Sequence, residues 1–189
     1  MADLTGKTVA FLVATEGIEQ VELTEPWRAV TDAGGTAKLL STEPGEVQAY
    51  NHLDKADTFP VDLVVGDADP GDFDALVLPG GVANPDQLRT DRDAVAFTRA
   101  MNAANAPVAA ICHGAWTLVE AGVVTGKRLT SWPSLQTDIR NAGGSWVDEE
   151  VCIDGNLITS RKPDDLKAFC QTLLDAVAAG MVRQTDGAV

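Results

Sequence analysis

The chain has 189 residues, 45% of them hydrophobic, with 17 glycines, and is long enough to bury one core. Its 28 acidic side chains outweigh 14 basic ones, and the net charge of −14 repels phosphate backbones and anionic lipid, which argues against nucleic-acid and membrane partners. No leader pattern or long apolar run is present, and three widely spaced cysteines with two histidines encode neither a disulfide framework nor a metal cluster, so a cytoplasmic chain without metal or organic cofactor is expected.

TVAFLVA (8–14) is a continuous apolar run, the pattern of a central parallel strand covered on both faces. Leu23, Trp27 and Val30 recur at helical spacing between Val21 and Ala33, and Gly34-Gly35 ends that helix. TAKLLST (36–42) reads as the next strand, and the Gly-, Pro- and Asp-rich stretch 43–72 as a peripheral hairpin with turns. DALVLPGG (74–81) is a second continuous apolar strand ending in a Pro-Gly-Gly turn. A helix from Asp91 to Asn105 leads to PVAAI (107–111), a short buried strand opened by proline. Helical patterning follows from His113 to Ala121 and stops at Gly122. KRLTSW, SWVDEEVCI and NLITSR read as three further strands, and PDDLKAFCQTLLDAVAAG as a closing amphipathic helix with a proline start. Residues 1–180 form one expected α/β domain, with a frayed tail over 181–189.

Cys112 therefore sits where a strand turns sharply into a helix, a place that exposes a side chain and favours an anion. Ligand crevices of open α/β sheets lie outside the carboxyl ends of the strands. Gly80, Gly81, Cys112 and His113 converge there, with the turn that carries Glu16 and Glu19. A thiol needs help to ionise, and an adjacent histidine can serve as its base in an unusual backbone geometry. The backbone N–H groups of Gly81 and His113 are candidates for an oxyanion hole.

AICHGAW, DALVLPGG and IEQVEL, with the segment from Ser131 to Leu166, resemble the DJ-1/PfpI superfamily, in particular its PfpI-like branch of stress proteins. The similarity runs from Thr8 to Leu174. The resemblance implies an α/β, flavodoxin-like three-layer sandwich with a mostly parallel central sheet, of the class I glutamine amidotransferase-like type. It implies Cys112 as nucleophile and His113 as its partner. Glu19 matches the protonated glutamate that hydrogen-bonds the thiolate and lowers its pKa, whereas Glu22 reads as a solvated or capping residue. Asp86 matches an acid that completes the histidine's triad from a neighbouring subunit, which implies at least a homodimer. Three departures stand out: Glu19-Gln20 where many relatives carry Glu-Asp, an extra residue at Ala83-Asn84, and Trp132 where relatives often carry tyrosine. The indole is expected to line the substrate pocket.

His52 reads as a surface residue, Cys152 as buried in a strand, Cys170 as packed on the last helix and Arg161 as structural. No histidine follows His113, so the amidotransferase mechanism, with its downstream histidine, is not available, and no Gly-x-Ser-x-Gly motif is present. Two functions are expected from this pattern. One is a cysteine-dependent hydrolase acting on small carbonyl compounds, glycated side chains or peptides. The other is a redox-responsive stress protein whose Cys112 oxidises to sulfenic or sulfinic acid.

Overall fold

The computed structural model describes residues 2–180, so the expected tail at 181–189 lies outside the described residues. In chain order the elements are β1 (Thr8–Val13), β2 (Glu16–Glu19), α1 (Gln20–Asp32), β3 (Thr36–Ser41), β4 (Glu46–Asn51), β5 (Asp54–Pro60), β6 (Leu63–Val64) and β7 (Ala75–Leu78). They continue with α2 (Ala83–Leu88), α3 (Arg92–Ala103), β8 (Val108–Ile111), α4 (Ala115–Glu120), β9 (Arg128–Leu129), α5 (Gln136–Asn141) and β10 (Ser145–Trp146). β11 (Val151–Asp154), β12 (Leu157–Ser160) and α6 (Leu166–Ala179) complete the chain.

Seven strands form the central sheet in the order β11-β12-β8-β7-β1-β3-β6. All neighbours are parallel except β11, which runs antiparallel to β12 at one edge. Successive residues of β1 point to opposite faces, and both faces are buried. Ala10 and Leu12 pack with Leu88, Phe97 and Leu118 of α2, α3 and α4. Val9, Phe11 and Val13 pack with Leu23, Val30, Phe169 and Leu173 of α1 and α6. The sheet is thus the middle of three layers, and its central strands β1, β7 and β8 are almost wholly apolar because neither of their faces meets water.

The peripheral segment folds as expected into a hairpin, β4–β5, but it gains a third strand. β2 pairs parallel with β4, so the hairpin is joined to the turn that follows β1. The region after Gly126 departs from the expectation of three ordinary strands. β9 and β10 pair only with each other, two residues deep, and SWVDEEVCI is split because the acidic run Asp148, Glu149 and Glu150 lies outside both β10 and β11. The short helices α2 and α5 also lie where no helix was expected. Arg161 is structural: its guanidinium donates to both carboxylate oxygens of Asp165, at 2.9 and 3.0 Å, beside the start of α6.

Candidate active site

The buried strand β8 ends at Ile111 in extended geometry, and Cys112 then adopts φ +60°, the left-handed region that L residues rarely occupy. One short turn, Cys112–Gly114, leads from there into α4. Close packing holds the kink. A Cβ on Gly114 would lie 2.3 Å from the carbonyl oxygen of Leu78, and one on Gly80 would lie 2.7 Å from Cβ of Cys112. Gly81 has φ +78°, and a Cβ there would come within 2.0 Å of the Gly17 carbonyl oxygen. The loops after β1, β7 and β8 therefore meet with no room for side chains between them. Asn84, fully buried on α2, ties two of them together. Its Oδ1 accepts from the Ala14 N–H at 2.7 Å, and its Nδ2 donates to the carbonyls of Pro79 and Gly80 at 2.9 and 3.1 Å.

Four groups face the Cys112 sulfur. Nδ1 of His113 lies 3.3 Å away. The backbone N–H groups of His113 and Gly81 both act on it and favour the thiolate. The fourth is the side chain of Glu22, not Glu19. Glu22 is fully buried, and its Oε2 accepts the Gly80 N–H at 2.8 Å. Burial pushes its pKa up to about 8, against the hydrogen bond from Gly80, so the carboxyl is neutral at pH 7 and able to donate. The thiol itself is pushed up, first by burial and then by the charge that Glu22 carries when ionised. The direction is opposite to the expected lowering of the thiol pKa: burial and the Glu22 carboxyl oppose ionisation, and the two N–H groups favour it.

The placement of the two glutamates follows from where α1 begins. Glu19 is the last residue of β2, and its Oε2 accepts the N–H of His52 on the hairpin at 3.0 Å. Glu22 lies within the buried stripe Glu22, Leu23, Pro26 and Val30 of α1. That spacing was visible in the sequence, and it would have identified the acid that faces the protein interior.

His113 is held between two indoles, edge-on to Trp116 at 5.3 Å and stacked on Trp132 at 5.7 Å between centroids. Its Nε2 lies 3.4 Å from Oγ of Ser134, a residue the sequence reading missed. Burial lowers the imidazole pKa, which keeps the ring neutral and basic at Nδ1 or Nε2. Asp86 is on the exposed face of α2 and lines a different hollow, with Arg89 and Glu120. That hollow backs onto the site, because the Arg89 guanidinium lies 5.6 Å over the Trp116 ring.

Above the sulfur is a cavity of about 230 Å³. Trp132 lines it, as does His52, whose side chain is exposed as expected but stands at the cavity mouth. Both histidines of the chain therefore meet at one site. Among the described residues, no group of three or more His, Cys, Asp or Glu side chains could hold a metal ion.

The arrangement has relatives. The model of the DJ-1/PfpI family matches residues 7–176. A protein named deglycase from Pyrococcus horikoshii is 42% identical over 161 residues, covering 85% of this chain and 93% of its own. General stress protein 18 of Bacillus subtilis is 40% identical over 165 residues, covering 87% of this chain and 94% of its own. Among solved structures, Drosophila melanogaster DJ-1beta is 27% identical with a TM-score of 0.82, over 91% of this chain and 90% of that one.

Proposed function

The chain belongs to the DJ-1/PfpI family, and from that premise we propose that it is a stress-related, cysteine-dependent hydrolase of PfpI type. Its substrates are carbonyl compounds: small 2-oxoaldehydes, glycated side chains or peptides. It works in the cytoplasm as a homo-oligomer, at least a dimer. The observation that carries this reading is the sulfur on a left-handed elbow, with a histidine nitrogen, two backbone N–H groups and a neutral carboxyl around it.

His113 Nδ1 takes the thiol proton, and the sulfur adds to the substrate carbonyl carbon. The carbonyl oxygen becomes an oxyanion, received by the N–H groups of Gly81 and His113, which need no reorganisation to meet it. With a peptide, the imidazolium returns its proton to the leaving nitrogen, and water cleaves the remaining thioester; a glycated amine, a carbinolamine, first releases its amine to give the 2-oxoaldehyde. With a 2-oxoaldehyde, the adduct's carbon-bound proton moves to the neighbouring carbonyl carbon, and water releases a 2-hydroxy acid from the thioester. Glu22 stays protonated through these steps and stabilises the thiolate by donating to it. Trp132 contacts the substrate, and Ser134 orients the imidazole. Asp86 reaches His113 from a neighbouring copy.

Methylglyoxal turnover and peptide cleavage by the parent protein and Cys112→Ser test the reading. Turnover that disappears in the variant supports it. A second reading draws on the same neutral carboxyl, which is equally placed to donate to an oxygen on the sulfur. It is favoured if no substrate is turned over while peroxide converts Cys112 alone to a stable sulfinic acid.

A further inference from the structure

The large apolar side chains that stand exposed among the described residues are Leu53 at 93%, Val82 at 59%, Ile153 at 57% and Trp132 at 38%. Three of these four, all but Ile153, line the cavity above Cys112. Exposed apolar groups scattered singly need no explanation, but a cluster at the mouth of a cleft marks a binding surface. Leu53 is the unexpected member, since it belongs to the β4–β5 hairpin, about sixty residues from the cysteine in sequence.

The hairpin tip is held in place. His52 turns the chain with φ +58°, and its N–H is fixed by Glu19 at 3.0 Å. Gln20 and Asp57 exchange two hydrogen bonds of 2.8 Å across the same gap. Tyr50 donates to Glu16 at 3.3 Å. Three ties thus run from β2 and the start of α1 to the hairpin, and they hold Leu53 at the cavity that Val82 and Trp132 also line. The thiol chemistry described above uses neither Leu53 nor Glu19.

We propose that the hairpin tip, Leu53 with His52, is one wall of a substrate subsite that selects carbonyl compounds bearing an apolar substituent, and that Glu19 is the positioning residue that keeps this wall over Cys112. The proposal rests on the hydrolase reading for its substrates, but the wall itself is read from the cavity. The Glu19 carboxylate is engaged with the hairpin, so the surface left to a substrate beyond the reacting carbonyl is aliphatic and aromatic. An aryl or alkyl group fits it, and a charged group would lose water there with only the exposed His52 side chain at the rim as a partner.

The test compares phenylglyoxal with methylglyoxal as the ratio of their kcat/KM values, in the parent protein, Leu53→Ser and Glu19→Ala. A missing methylene in an apolar pocket changes discrimination by roughly 10-fold or more. The ratio is expected to fall about 10-fold in Leu53→Ser and in the same direction, by less, in Glu19→Ala. Leu53 is so exposed that its replacement leaves the fold intact. An independent readout is the alkylation of Cys112 by N-phenyliodoacetamide against iodoacetamide, followed on the Cys112 peptide so that Cys152 and Cys170 do not contribute. That ratio should fall in the same two variants. If neither glyoxal is turned over but the alkylation ratio still falls, the hydrolase reading fails and the subsite stands. Unchanged ratios in both assays overturn the subsite, as does a Leu53→Ser protein whose only change is a smaller oligomer, which would assign the apolar rim to contact between copies.

Discussion

Replacing Glu22 by glutamine turns the buried carboxyl into a permanently neutral group of nearly the same shape. The amide oxygen still accepts from the Gly80 N–H, and the amide nitrogen still faces the sulfur. In the folded chain burial raises the Glu22 pKa from 4.5 to about 8. The fold therefore binds this proton more tightly than the unfolded chain does. The resulting stability is complete below pH 4.5 and is lost as pH rises from there to about 8. At about 1.4 kcal/mol per pH unit, the loss reaches about 3 kcal/mol by pH 7 and about 5 kcal/mol at most above pH 8. Those are large shares of the roughly 5–15 kcal/mol that holds a domain folded. Glutamine has no proton to lose, so Glu22→Gln should escape the decline. Urea unfolding of parent and variant at pH 5, 6, 7 and 8 reads this directly, because titrating groups that do not touch Glu22 cancel in the difference. The variant's advantage should grow by about 2–4 kcal/mol across that range. A constant offset between the two curves would refute the argument, since it would mean that Glu22 ionises in the fold as easily as in water. Alkylation of Cys112 gives a second check: above pH 8 it should be faster in the variant, which places no anion beside the thiolate.

Asn84→Ala leaves the Ala14 N–H and two loop carbonyls without their partner and opens a cavity, so it should cost about 2–4 kcal/mol in chemical denaturation. Cys112 alkylation should become less uniform in the same variant, as the loops around the sulfur loosen. Because burial lowers the His113 pKa and the base must be unprotonated, the acidic limb of kcat/KM should fall below the ordinary imidazole value of 6.5. A limb at or above 6.5 would place a different base in control. Asp86→Asn should abolish turnover while leaving peroxide oxidation of Cys112 intact. Mixed oligomers of Asp86→Asn with Cys112→Ser should recover activity that neither has alone, and mixing that restores nothing would remove Asp86 from the site.

What the sequence discloses about this fold depends on how much of each element's environment is local. β1, β7 and β8 are covered on both faces, so burial alone writes them as apolar runs. β2 is Glu-Gly-Ile-Glu, with no apolar run or alternation long enough to read, and it is a strand only because β4 lies beside it. α2 is Ala-Asn-Pro-Asp-Gln-Leu, too short to nucleate alone, and it exists because the buried Asn84 fastens it to two loops. β9 and β10 are two residues each, below any periodicity.

The site divides along the same line. Cys112, His113 and Gly81 were legible because a strand, a sharp turn and a helix can be read from consecutive residues. Choosing between Glu19 and Glu22 required the phase of α1. A helix that starts at Gln20 turns position 22 inward with Leu23, Pro26 and Val30, and leaves Glu19 on the strand before it. The apolar stripe carries that phase, so a carboxylate standing on a buried stripe is the signal in the sequence. His52 carried no such signal. Its position at the mouth of the site depends on β2 pairing with β4, a contact between segments thirty residues apart, and on the Glu19 carboxylate that is thereby free of the thiol and able to fasten the hairpin. The roles of Glu19 and His52 therefore follow from one another: once Glu22 takes the sulfur, Glu19 is left to hold the hairpin, and with it His52, at the wall of the pocket.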